Sequence, residues 1–85
     1  MEMNTTLFVA NIDYQVTAEE LRALFEKHGL IRRVSLIIYK ETGRSKGYAF
    51  IECETKSEAE KCKDKLRGHK FGDREITIKW AKQIL

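Results

Sequence analysis

The fold is decided by one stretch of sequence, KGYAFIEC at residues 46–53. Within it, small or aliphatic residues alternate with aromatic and charged ones, and this period of two is typical of a β-strand with one buried face. Alternation places one set of side chains in the core, namely Ala49, Ile51 and Cys53. The opposite set, Tyr48, Phe50 and Glu52, is therefore predicted to face solvent.

Three other segments show strand character: residues 6–10, 33–39 and 75–80. In residues 33–39 the predicted inward set is Val34, Leu36 and Ile38. In residues 75–80 the set of Ile76, Ile78 and Trp80 is predicted to face inward, with Trp80 at the edge of the core. Thr42-Gly43 predicts the turn between the second and third strands.

Two helices are predicted between these strands from their start and stop signals. Thr17-Ala18-Glu19-Glu20 and Ser57-Glu58-Ala59-Glu60 both match the capping-box pattern. Gly29 and Gly68 are predicted to take the left-handed position after each helix. The order strand, helix, strand, strand, helix, strand predicts an α+β fold, the ferredoxin-like βαββαβ sandwich. It has a four-stranded antiparallel sheet with two helices on one face.

The uncovered face of this sheet is the predicted functional surface. Because Leu7 and Val9 point inward, Phe8 joins Tyr48 and Phe50 on the open side. One exposed aromatic residue is usually incidental, but three that converge normally mark a contact surface.

Residues 46–53 resemble the eight-residue ribonucleoprotein consensus of the RNA recognition motif, and LFVANI at residues 7–12 resembles its companion hexamer. The resemblance covers about residues 5–82, so residues 1–85 are expected to form a single domain of this family. It implies that the chain binds short single-stranded RNA. Phe8 and Tyr48 would stack on bases, and Phe50 would contact sugars or lie between nucleotides.

The resemblance also implies roles for basic and polar residues. Lys46 and the loop residue Arg44 would approach phosphates. Residues on and after the last strand would contact bases, and Lys79, Lys82 and Gln83 hold those positions. Asn11 lies near the expected surface, although a role in the turn explains it equally well. Glu52 is expected to have bases or Lys79 as its neighbours.

Composition excludes several classes of function. Sixteen Lys and Arg against thirteen Asp and Glu give a net charge of +3, which permits a polyanionic partner without demanding one. The two cysteines, two histidines and acidic residues form no catalytic or metal-ligand pattern. We therefore expect no enzyme activity, no cofactor and no metal. No apolar run predicts a membrane span.

Several alternatives remain open at this point. An RNA recognition motif used for protein interaction is the main rival, with the lysine-rich second helix as a surface for a protein partner. Single-stranded DNA is another, because stacking does not sense the 2′-hydroxyl. We expect a monomer inside the cell, in the cytoplasm or, for a eukaryotic source, the nucleus.

Overall fold

The computed structural model describes residues 5–81, and its helices and strands follow the predicted order with one addition. The two helices are α1 (Ala18–Glu26) and α2 (Lys56–Leu66). The strands are β1 (Thr6–Ala10), β2 (Ile31–Ile38), β3 (Ser45–Cys53), β4 (Lys70–Phe71), β5 (Arg74–Glu75) and β6 (Thr77–Trp80). The addition is the short β4–β5 hairpin. Its strands have only two residues each, too few for an alternating pattern to predict them.

Four strands form an antiparallel sheet in the order β2-β3-β1-β6. The central strands β1 and β3 lie side by side, with Leu7 opposite Ile51 and Phe8 opposite Phe50. Strands β1 and β6 pair with Phe8 opposite Lys79. This sheet and its two helices confirm the predicted ferredoxin-like sandwich.

The hydrophobic core lies between one face of the sheet and both helices. The sheet contributes alternate residues, and the helices contribute a stripe each; the fully covered members include Leu7, Val9, Ala49, Ile51, Cys53, Leu21, Phe25, Ala59 and Cys62. Trp80 is half-buried against this cluster, as predicted. Burial on one face only leaves the other face of the sheet uncovered by any described element.

The start of α1 is the predicted capping box. The Thr17 hydroxyl accepts from the Glu20 backbone N–H at 3.1 Å, and the Glu20 carboxylate accepts from the Thr17 N–H at 2.9 Å. The prediction for α2 is wrong by two residues. Thr55, in extended conformation, caps the helix by accepting from the Glu58 N–H at 3.2 Å, so Ser57 already lies inside the first turn.

The two predicted C-terminal glycines differ. Gly68 has φ of 76°, the left-handed conformation expected after α2. Gly29 does not have a positive φ, so the prediction for it is wrong. A Cβ at Gly29 would lie 2.9 Å from the Glu58 carbonyl oxygen and 3.0 Å from Cys62 Sγ. Gly29 is therefore required by the close approach of α2 rather than by its own backbone conformation.

Strand β2 is less regular than its sequence pattern predicts. It begins at Ile31, and its pairing with β3 shifts between Ile31 and Arg33 and again between Leu36 and Ile38. Such bulges bend a strand and change the direction of its side chains. Ile38, predicted to face the core, is accordingly 45% exposed, while Leu36 still packs against the core.

Candidate nucleic-acid interface

Three aromatic rings form a continuous cluster on the open face of the sheet, and we call Phe8, Tyr48 and Phe50 the aromatic triad. The Phe8 ring centroid lies 5.6 Å from that of Tyr48 and 5.4 Å from that of Phe50. These centroid distances lie within the range of favourable aromatic pairs, and the ring planes are tilted by 54° and 50°. The rings stabilise one another and present a prearranged apolar platform to solvent.

Strand parity accounts for the position of the triad. The residues on either side of Phe8, Leu7 and Val9, have no exposed surface, and the same holds for Ala49 and Ile51 beside Phe50. Their burial forces the intervening side chains to the opposite face. Phe50 keeps 38% of its surface exposed, so a bound base can reach it.

The predicted basic residues that the structure describes lie on β6, at the start of β3 and in the β2–β3 turn. Lys79 is exposed on β6 and stands opposite Phe8 in the strand register. Lys46 is exposed at the start of β3, with its Nζ 5.0 Å from the centroid of the Tyr39 ring. Arg44 is exposed in the β2–β3 turn, where its carbonyl accepts from the Tyr39 N–H at 2.8 Å.

The acidic residue on this face has different neighbours from those expected. Glu52 forms ion pairs with Arg32 at 3.6 Å and Arg33 at 3.9 Å, both on β2. The expected neighbour Lys79 is not among the ion-pair partners of Glu52, because β6 pairs with β1 rather than with β3. The two β2 arginines therefore offset the negative charge that Glu52 brings to the sheet surface.

Asn11 has a bridging role at the end of β1. Its φ is 59°, and among the described residues it alone combines a positive φ with a side chain. Its amide donates to the Glu75 carbonyl at 2.8 Å and accepts from Arg74 at 3.0 Å. Both ends of the side chain are thus engaged within the protein, which favours the structural role left open by the sequence. Lys82 and Gln83 lie outside the described residues.

Sequence patterns missed two side chains next to the triad. Tyr14 is 60% exposed in the loop between β1 and α1, and the Arg74 guanidinium carbon lies 5.0 Å from its ring centroid. Strand parity does not apply to a loop residue or to a two-residue strand. The sequence signals that remained were a Tyr next to a turn and an Arg near Gly72, both too common to single out.

Residues 5–81 hold no group of His, Cys, Asp and Glu able to bind a metal ion. A hydrogen bond with Cys62, together with burial, raises the pKa of the Cys53 thiol above its ordinary value. No helix among these residues has the length and apolar character to cross a membrane.

An open antiparallel sheet with convergent aromatic rings, backed by two helices, defines a class of nucleic-acid-binding domains. The RNA recognition motif family model matches residues 7–77, and the chain belongs to this family. The family is a non-enzymatic RNA-binding domain, in agreement with the sequence prediction.

Individual relatives agree with this assignment. The chain is 39% identical over 77 residues to the serine/arginine-rich splicing factor SC35 of Arabidopsis thaliana, covering 91% of this chain and 25% of that relative. It thus spans about a quarter of that relative's length. A crystal structure of RNA-binding protein PG1 matches with a TM-score of 0.87 and 30% identity over 99% of both chains. A Sxl-lethal protein/RNA complex matches with a TM-score of 0.91 and 28% identity, over 94% of this chain and 48% of that one.

Proposed function

We propose that this domain binds a short segment of single-stranded RNA across the open sheet face, with bases stacked on the aromatic triad. The observation that carries the proposal is the contact of the Phe8 ring with both Tyr48 and Phe50, on the one face of the sheet that the described elements leave uncovered. Base stacking on such rings contributes about 1–3 kcal/mol per base, largely independent of base identity.

Basic residues supply the second part of the proposed mechanism. Lys79, which stands opposite Phe8 in the strand register, and Lys46 and Arg44 at the β2–β3 end would contact phosphates of the bound strand. Lys82 remains a proposed contact in the segment that follows the described residues. The net charge of +3 implies a modest electrostatic contribution, so stacking dominates the affinity.

The proposal also covers the molecular setting. Residues 1–85 act as one domain and as a monomer, inside the cell where both cysteines stay reduced. A protein partner on the helical face is less well supported. The lysines of α2 are consistent with a solvated helix surface, and the triad would then have no function. The RNA-bound relative favours RNA as the ligand.

The first experiment is selection from a random RNA pool, followed by affinity measurement on the enriched oligomer with a DNA oligomer of the same sequence as competitor. We expect an enriched unstructured RNA that the DNA displaces poorly. Equal binding of the DNA would change the ligand class to single-stranded nucleic acid in general. Failure to enrich any RNA would overturn the proposal and favour the protein-interaction alternative.

The second experiment changes Phe8, Tyr48 and Phe50 together to Ala, and in parallel to Leu. Leu keeps an apolar side chain on the strand but has no π-face, so it tests stacking in a variant that retains much of the surface packing. We expect both variants to lose RNA binding while the circular dichroism spectrum remains that of the wild type. Wild-type affinity in the folded Leu variant would refute stacking on the triad.

The ionic contribution is tested by the dependence of affinity on salt. Replacing Lys46 or Arg44 by Ala should flatten the slope of log affinity against log salt by up to about one unit for each phosphate that the variant no longer neutralises. Lys65→Ala provides the matched control, because Lys65 is an exposed lysine on α2, remote from the open face. An unchanged slope in the first two variants would remove those residues from the interface.

A further inference from the structure

We propose that a cleft at one end of the open sheet face, beyond Tyr48, binds one additional nucleotide of the RNA, with Tyr14 and Arg74 as its recognition surface. This inference rests on the proposed function and adds a subsite that the two sequence motifs do not define. Its ligand is a nucleotide unit of the same single strand, recognised through the faces of its base and through its phosphate.

The size and position of the cleft fit one unit of a chain ligand. Its volume is about 260 Å³, below the roughly 300–1,000 Å³ typical of pockets that hold a whole small molecule. Phe8 and Tyr48 of the triad form part of its wall, so a strand stacked on the triad continues directly into it. Asn11, Tyr14, Lys46 and Arg74 are among the other lining residues.

The cleft offers the groups that bind a nucleotide. The Arg74 guanidinium carbon lies over the Tyr14 ring, 5.0 Å from its centroid, so a planar cation and an aromatic ring are already in contact. Guanidinium planes and tyrosine rings are both surfaces on which unpaired bases stack, and the guanidinium also donates to phosphate. Lys46 supplies a second positive charge among the lining residues.

Hydrogen bonds between two loops hold this arrangement in place. Asn11 accepts from Arg74 at 3.0 Å and donates to the Glu75 carbonyl at 2.8 Å, in a left-handed conformation that costs free energy. Asp13 accepts from the Gln15 N–H at 3.0 Å within its own loop. Its other oxygen accepts from the N–H at position 73, at 3.3 Å, in the β4–β5 turn. The β1–α1 loop and the β4–β5 hairpin are thus preorganised, which reduces the entropic cost of binding.

The experiment shortens the selected RNA by one nucleotide at a time from each end and measures the affinity of the folded full chain at each length. In the wild type we expect removal of one terminal nucleotide to cause a discrete loss of about five- to tenfold, the lower part of the range for a stacked base. In Tyr14→Ala and in Arg74→Ala this step should disappear, while the core of the RNA still binds through the triad.

Conservative variants distinguish recognition from a structural effect. Tyr14→Phe keeps the ring and should keep the step, whereas Arg74→Lys keeps the charge but not the planar surface and should reduce it. Tyr39→Ala is the matched control. Tyr39 is 52% exposed and has the Lys46 cation 5.0 Å from its ring, but it does not line the cleft. It lines a neighbouring groove next to the start of α1, to which Tyr14 and Lys46 also contribute. The step should be unchanged in this control.

Each outcome decides the proposal. An affinity step that survives in Tyr14→Ala, or that disappears equally in Tyr39→Ala, would overturn the subsite while leaving stacking on the triad intact. Two results together would support both proposals: the triad variants bind RNA of no length, and the step is absent only in the Tyr14 and Arg74 variants. A wild-type chain that binds no RNA would overturn both.

Discussion

Gly47 offers a direct test of how the sheet and the Tyr14 loop fit together. Its φ is 87°, and a Cβ at this position would lie 3.0 Å from Cε1 of Tyr14 and 3.4 Å from the Ile12 carbonyl oxygen. Gly47→Ala should therefore have two costs. The left-handed backbone costs about 1–2 kcal/mol for a residue with a Cβ. The Tyr14 ring must also shift, which disturbs its contact with Arg74.

The second cost can be isolated with a matched glycine. Gly43 also has a positive φ, 75°, but a Cβ there would meet nothing within 4 Å. Gly43→Ala should therefore have the backbone cost alone. Disruption of an exposed cation–π interaction adds about 0.5–1 kcal/mol, so Gly47→Ala should be less stable than Gly43→Ala by about that amount. The assay is urea unfolding, supported by thermal melts, in which 1 kcal/mol corresponds to about 4–8 °C.

A double variant shows whether Tyr14 is the cause. In a Tyr14→Ala background the ring is absent, so the excess cost of Gly47→Ala over Gly43→Ala should vanish. Equal costs of the two glycine variants in the wild-type background would refute the reasoning. An excess that persists without the Tyr14 ring would assign the strain to the Ile12 carbonyl instead.

Individual contacts at Asp13, Glu52 and Thr55 support three further predictions. Backbone N–H groups hold the pKa of the Asp13 carboxyl below its ordinary 3.8. Asp13→Ala should therefore lower the stability by its full amount above pH 3.8, and the difference from the wild type should disappear as the pH falls through the folded-state pKa. Thermal melts at several pH values measure this difference. Glu52→Gln should raise RNA affinity and steepen its salt dependence, since it frees two β2 arginines; unchanged binding would place Glu52 outside the RNA path. Thr55→Ala should lower the free energy of unfolding in urea by about 1 kcal/mol, and Ser57→Ala by less than about 0.5 kcal/mol. A larger loss in Ser57→Ala would show that Ser57 is the cap, as the sequence predicted.

Strand alternation predicted the central part of the site because burial enforces it. Because Leu7 and Ile51 are buried in the core, Phe8 and Phe50 must lie on the opposite face of the sheet. The inward direction of Cys53 and the half-buried position of Trp80 followed from the same parity. These features needed only the period of the strand and the identity of neighbouring residues.

Other features depended on competing local signals. Thr55 and Ser57 are both capping residues two positions apart, and only the path of the chain leaving β3 decides which of them is extended. Gly29 follows a helix and so resembles a helix stop. A glycine is needed there because the Glu58 carbonyl of α2, far away in the sequence, leaves no room for a Cβ. The pairing of Glu52 with Arg33 depends on the order of strands in the sheet, which alternation does not encode.

The sandwich, the inward and outward faces of β1, β3 and β6, and the aromatic surface all follow from the amino-acid sequence, because each is set by short-range periodicity and the burial of apolar residues. The surroundings of that surface required the folded chain. Folding brought Arg74 onto Tyr14, engaged both ends of Asn11, and made a cleft beyond Tyr48. These contacts join loops about sixty residues apart, and their geometry arises from packing rather than from any local pattern.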